Sequence, residues 1–179
     1  FLFASRDVWF VVALPVFLST TLGWEFTQVG GFLACWIIGY GAVQTIAPRI
    51  TGRNKDHVPD GKSAFLWAMA LAGLPAFIAL ALASAWPPTI VVVTGLLLFG
   101  AVFAVNSSLH SFLIVSYAKE DGVSLDVGFY YMANAMGRLL GTMLSGWVFQ
   151  VAGLGACLWI SSGFIGLAAV ISLALPRGK

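Results

Sequence analysis

The chain has 179 residues, 60% of them hydrophobic and 9% charged, with a formal net charge of +2 and a mean hydropathy of +0.95. Soluble domains carry about 25% charged residues, so a water-facing surface of ordinary polarity is excluded, and the near-balanced charge excludes bulk attraction to nucleic acid. Cys35 and Cys157 both fall inside apolar runs; they make neither a disulfide framework nor a metal site and are expected as small buried hydrophobes.

Hydropathy and helix breakers divide the chain into six expected membrane-spanning helices. The first covers about 7–21, with Ser5 as N-cap, Asp7 beside the positive helix end and Pro15 placed to kink it. The second covers about 29–47 and stops at Pro48. After the polar stretch 48–62, a third helix covers about 64–85 and ends at Trp86-Pro87-Pro88. The fourth covers about 90–116, the fifth 127–152 and the sixth 156–175, with Gly153 and Gly155 marking the turn between the last two. The opening Phe1-Leu2-Phe3-Ala4 has no initiator methionine and no basic leader, so the segment is expected to begin within a longer protein.

Charge alternates between the loops. Arg6, Arg49, Arg53, Lys55, Lys62, Lys119, Arg177 and Lys179 fall on one side, whereas the other side carries only Glu25. The excess of basic residues in cytoplasmic loops then puts both ends of this segment in the cytoplasm of a multi-pass protein of the inner (plasma) membrane.

Arg138 stands in the middle of the fifth apolar run, 11 residues from its nearer end. At ~1.5 Å per residue this is roughly 16 Å, about half of a bilayer's hydrocarbon core. A cation there costs at least ~2.5 kcal/mol on insertion scales, so it is expected to face a polar cavity, a counter-ion or an anionic ligand. Asp7 and Asp126 are placed at cytoplasmic helix ends, the latter 12 residues away. Arg138 is therefore expected to lack a counter-ion at its own depth, leaving a substrate anion or a residue outside the chain as its partner.

Tyr131, Asn134, Arg138, Thr142 and Ser145 fall on one helical stripe. The stripe lines a pathway if turned inward, or bonds to neighbouring helices if packed. Gly137 and Gly141 beside it form a GxxxG pair that admits a close helix. In the fourth helix, Asn106 and His110 share a face; His110 could donate to an anion, carry a proton, or be a neutral ring satisfied locally. Trp36, Tyr40 and Gln44 form a further stripe, either a cavity wall or a packing seam.

Six spans, cytoplasmic ends and a basic loop between the second and third helices resemble the C-terminal half of a major facilitator superfamily transporter, in which two six-helix halves enclose a midplane site. A closer resemblance, to the ArsJ organoarsenical efflux family, lies in three places. These are Ser5-Arg6-Asp7-Val8-Trp9-Phe10 and the residues through Phe17, Asn106-Ser107-Ser108-Leu109-His110-Ser111, and Val127 through Ala135 with Gly137-Arg138-Leu139-Leu140-Gly141. Met136 departs from it, standing where glycine is common. The resemblance implies export of 1-arseno-3-phosphoglycerate and a functional link to the glyceraldehyde-3-phosphate dehydrogenase that makes it. A guanidinium fork suits such an anion.

The reading is an all-α polytopic membrane protein, half of a facilitator bundle, working by alternating access beside an N-terminal half. Arg138 binds the anion, and Asn134, Tyr131, His110 and Asn106 orient it. No cofactor, metal or covalent chemistry is expected. The alternatives are an exporter of another organic anion or drug, and a membrane-embedded enzyme acting on a phosphorylated lipid.

Overall fold

A computed structural model describes residues 1–50, 61–117 and 123–175. Arg53, Lys55, Lys119, Arg177 and Lys179 lie outside the described residues. Every regular element among those described is helical. A bilayer interior offers no water to backbone groups, so long apolar runs satisfy them within a helix. Three long helices follow the first segment: α3 (Phe26–Ile50), α4 (Gly61–Leu82) and α5 (Pro88–Tyr117). Pro48 lies inside α3 rather than ending it. Each of the three is long and apolar enough to cross a membrane.

The last helix, α6 (Val123–Ser172), has 50 residues. Straight, it would run about 75 Å, more than twice the hydrocarbon thickness. Gly153 breaks it with φ 75° and ψ −176°, a backbone open to glycine at little cost. The Cys157 sulfur lies 4.0 Å from the Ser145 carbonyl, where 12 residues of straight helix would separate them by roughly 18 Å. The chain therefore reverses at Gly153, and α6 is a helical hairpin that crosses twice.

The first span departs from the expected continuous helix over 7–21. It consists of α1 (Leu2–Ser5), a 3-10 turn (Arg6–Val8), irregular turns over 9–12 and α2 (Ala13–Thr20). Pro15 explains the break: its ring would collide with the carbonyl four residues earlier, that of Val11, and it has no amide to donate. The Leu14 amide reaches back to the Trp9 carbonyl instead, at 3.0 Å. Ser145 on α6 completes the repair, its Oγ accepting from the Val12 and Ala13 amides at 3.2 and 2.9 Å. Ser5 does not cap a helix; its hydroxyl donates to the Phe1 carbonyl at 3.1 Å. Arg6 and Asp7, expected at the membrane surface, are buried within the span Leu2–Thr20.

The broken span is held between α6 on one side and α3 and α5 on the other. A Cβ on Gly137 would strike the Phe1 carbonyl and come within 2.9 Å of Ala4, and one on Gly141 would sit 2.9 Å from the Ser5 carbonyl. The glycine pair thus lets α6 press against the segment carrying Arg6 and Asp7. The second arm of α6 bonds α4 through Ser162 to the Ala72 carbonyl at 2.8 Å. It also bonds the first span through Ser161 to the Arg6 carbonyl at 2.8 Å. Trp9, Leu14, Leu18, Leu71, Ile78, Leu96, Leu158 and Ile165 fill the centre. By contrast, α3 and one face of the first α6 arm are uncovered, exposing Ile37, Ile38, Phe129, Met136, Met143 and Trp147. Cys157 is buried, whereas Cys35, expected buried, is exposed on α3.

Candidate functional site

The break in the first span lies beside a cavity. About 400 Å³ in volume, it sits between the first span, α3, α5 and the first arm of α6. Phe10, Trp36, Ile37, Phe99 and Phe103 give it apolar walls. Arg6, Asp7, Tyr40, Ser107, Asn134 and Arg138 supply its polar groups.

Arg138 is 15 residues from both Val123 and Gly153, roughly 22 Å from each end of its arm. Its side chain is 66% exposed, and its Nε lies 3.2 Å from Asp7 Oδ2. The expectation that no counter-ion lies at its depth is therefore corrected. Asp7 is not a cap at the membrane surface, because the first span begins before it and carries it inside. The other Asp7 oxygen lies 3.7 Å from Arg6 Nη2. Two guanidiniums thus flank one carboxylate, and these three formal charges sum to +1.

Arg6 is the firmly held member. Its Nη1 donates to the Phe3 carbonyl, and its guanidinium lies 3.9 Å over the Phe103 ring and 4.7 Å from the Phe3 ring. Such ring faces stabilise a cation, more so when water is excluded. Phe3 in turn stacks on His110 with ring centroids 4.2 Å apart. His110 Nδ1 lies 2.8 Å from the Asn106 carbonyl. A bond there requires the proton on Nδ1, which sets the tautomer of a neutral ring.

Of the residues picked from the sequence, the structure brings Arg138 and Asn134 together at the cavity. Asn134 Nδ2 lies 3.5 Å from the Tyr130 hydroxyl. Asn106 and His110 stand outside the lining. The Asn106 side chain, fully buried, donates to the Trp67 carbonyl at 2.9 Å and the Val102 carbonyl at 3.0 Å, tying α5 to α4. Tyr131 is 64% exposed on the uncovered face. The helical stripe divides accordingly: Thr142 bonds its own helix at the Arg138 carbonyl, and Ser145 caps α2. Arg6 and Asp7 are the site residues that sequence reasoning missed. Their signal was an adjacent Arg-Asp pair a few residues into an apolar run, with Pro15 downstream to break it. Among the described residues no group of three or more His, Cys, Asp or Glu is placed to hold a metal.

An all-helical chain with repeated membrane crossings and a charged cavity between its helices is a polytopic membrane protein built around a polar interior. The chain belongs to the Major Facilitator Superfamily, whose family model matches residues 1–179. It is thus a membrane transporter of the facilitator class. Neither a curated protein nor a solved structure matches it.

Proposed function

We propose that this segment is the C-terminal six-helix half of an exporter that moves a small organic anion by alternating access. Arg138 holds the anion and Asn134 orients it. The observation that carries this reading is a guanidinium halfway along a crossing helix, opening into a cavity of about 400 Å³ where two arginines face one carboxylate. A net positive cavity with low-dielectric walls concentrates anions. The uncovered faces of α3 and the first α6 arm are where an N-terminal half would pack and close the site at the midplane. Asn106 and His110 act from behind the wall, bracing Phe3 and through it Arg6. Tyr131 faces the other half. Arg49 and Lys62, exposed at the facing ends of α3 and α4, lie in the cytoplasm together with both ends of the segment.

The substrate class comes from the resemblance to the ArsJ family: 1-arseno-3-phosphoglycerate, supplied by a dedicated glyceraldehyde-3-phosphate dehydrogenase. The cavity supports an oxyanion over trivalent arsenic, which would call for clustered thiols; one cysteine here is exposed on α3 and the other buried. A membrane-embedded enzyme fits less well. Asp7 does supply a carboxylate inside the span, but each of its oxygens already faces a guanidinium, which leaves neither free to take a proton from a substrate.

The test is arsenate resistance conferred by the intact transporter on an arsenic-hypersensitive cell, with and without the partner dehydrogenase, at matched membrane abundance. Resistance is expected to need the dehydrogenase. It is expected to be lost in Arg138→Ala and in Arg138→Lys, because an ammonium keeps the charge and loses the planar fork. Resistance that survives Arg138→Ala would remove Arg138 from the site. A wild type that confers none would remove the organoarsenical.

A further inference from the structure

We infer that Arg6 and Arg138 together form a two-pronged anion seat, and that Asp7 is its displaceable internal occupant, neutralising the seat while the transporter returns empty. This inference rests on the anion-exporter reading and adds to it a second binding residue and a reason for the buried carboxylate.

The geometry carries it. Asp7 turns one oxygen to each guanidinium, 3.7 Å from Arg6 and 3.2 Å from Arg138. A phosphate or arsenate group bridging the two prongs would take the same positions. The prongs differ in how closely they are held. Arg6 is fixed by the Phe3 carbonyl and the Phe103 ring, whereas the Arg138 side chain is two-thirds exposed. Asp7 is held loosely by comparison. Its contact with Arg6 is longer than a hydrogen bond, and it stands on a short 3-10 turn at the break in the first span rather than within a regular α-helix. An incoming oxyanion can therefore take over both cations without dismantling a helix.

The electrostatics supply the reason. Two guanidiniums close together in a membrane interior repel each other and resist desolvation. A loaded carrier satisfies them with substrate. An empty one must change conformation with the same two charges, and Asp7 is the anion that accompanies them. The competing explanation is a structural ion pair that fastens α6 to the first span. That explanation predicts damage to every mode of transport alike, whereas an internal occupant matters only to the empty carrier.

The experiment uses the intact transporter in proteoliposomes loaded with radiolabelled 3-phosphoglycerate, which shares the phosphate and carbon skeleton of the proposed substrate. Exchange against external unlabelled 3-phosphoglycerate involves only loaded carriers. Net efflux into medium lacking it requires the empty return. Asp7→Asn is expected to slow net efflux about tenfold or more beyond any effect it has on exchange. Arg6→Lys is expected to raise the half-saturating concentration by about tenfold in both modes. Equal slowing of exchange and net efflux in Asp7→Asn, or undiminished net efflux, would overturn the inference. If Asp7→Asn fails to reach the membrane, Asp7→Glu decides, by the same comparison of its two rates. A wild type that moves 3-phosphoglycerate in neither mode would remove the organic-phosphate reading and this inference with it.

Discussion

At the scale of single residues, burial and partner decide the role, and residue type alone does not. Arg138 and Arg6 are both arginines in apolar runs, yet one is open to the cavity and the other is enclosed by aromatic rings and a carbonyl. Asn134 and Asn106 differ in the same way. The first lines the cavity, and the second spends its amide on the Trp67 and Val102 carbonyls. Asn106→Leu should therefore lower thermal stability by about 1 kcal/mol, the scale of hydrogen bonds between membrane helices. The anion concentration for half-maximal transport should stay near the wild-type value. A thermal melt followed by a transport titration of the same preparation checks both. A large loss of anion affinity with unchanged melting would return Asn106 to the binding set. Helical periodicity made Arg138 and Asn134 legible, because both sit on one stripe of a regular helix. Asp7 was misread because its depth depends on where the first span begins and how it is broken.

At the scale of elements, the break in the first span organises the site. Pro15 prevents a continuous helix, and the Val12 and Ala13 amides at the break need partners. Ser145 provides them from a different helix, the service an N-cap residue performs within its own. Ser145→Ala should cost about 1 kcal/mol, typical of a lost cap, and should raise hydrogen exchange at the Val12 and Ala13 amides specifically. Protection that is unchanged there would mean that water or another group already serves them. The glycine pair sets the spacing of the same contact. Gly141→Val would place branched carbons against the Ser5 carbonyl, where even a Cβ would stand at 2.9 Å. It should push α6 away, separate Arg138 from Asp7 and reduce transport at least as strongly as Asp7→Asn. Matched transport at wild-type level would show that the helices tolerate the separation. The polar stripe and the GxxxG spacing were visible in the sequence. Which small residue met which backbone was not, since that depends on the crossing of two helices distant in the chain.

At the scale of the whole molecule, the pattern of exposure is that of a bundle with an open side. The first span and α5 are the most enclosed, α4 and the second arm of α6 bury one face each, and α3 and the first arm of α6 present apolar side chains outward along most of their length. The two cysteines report this asymmetry. In detergent, a maleimide should label Cys35, which lines a surface pocket of about 240 Å³ on α3, and should spare Cys157 until the protein is denatured. Equal labelling of both in the folded state would contradict the burial of the second α6 arm against α4 and the first span.

The sequence by itself determined that this is an all-helical membrane protein with repeated crossings and a cation held deep in one of them. Those properties follow from hydropathy, length and the cost of unsatisfied backbone in lipid, all of which are local. It also marked Pro15 as a kink in the first span and Gly153 as a turn. The tertiary structure alone decided that the interruption buries Arg6 and Asp7, that Asp7 meets Arg138, and that a cavity opens beside them. It also assigned Ser145 to repair a helix more than a hundred residues away. The physical reason is that an ion pair between distant segments depends on helix depth, rotation and packing together. None of these is encoded at either residue; they follow from how the small residues and the broken backbone let the helices approach.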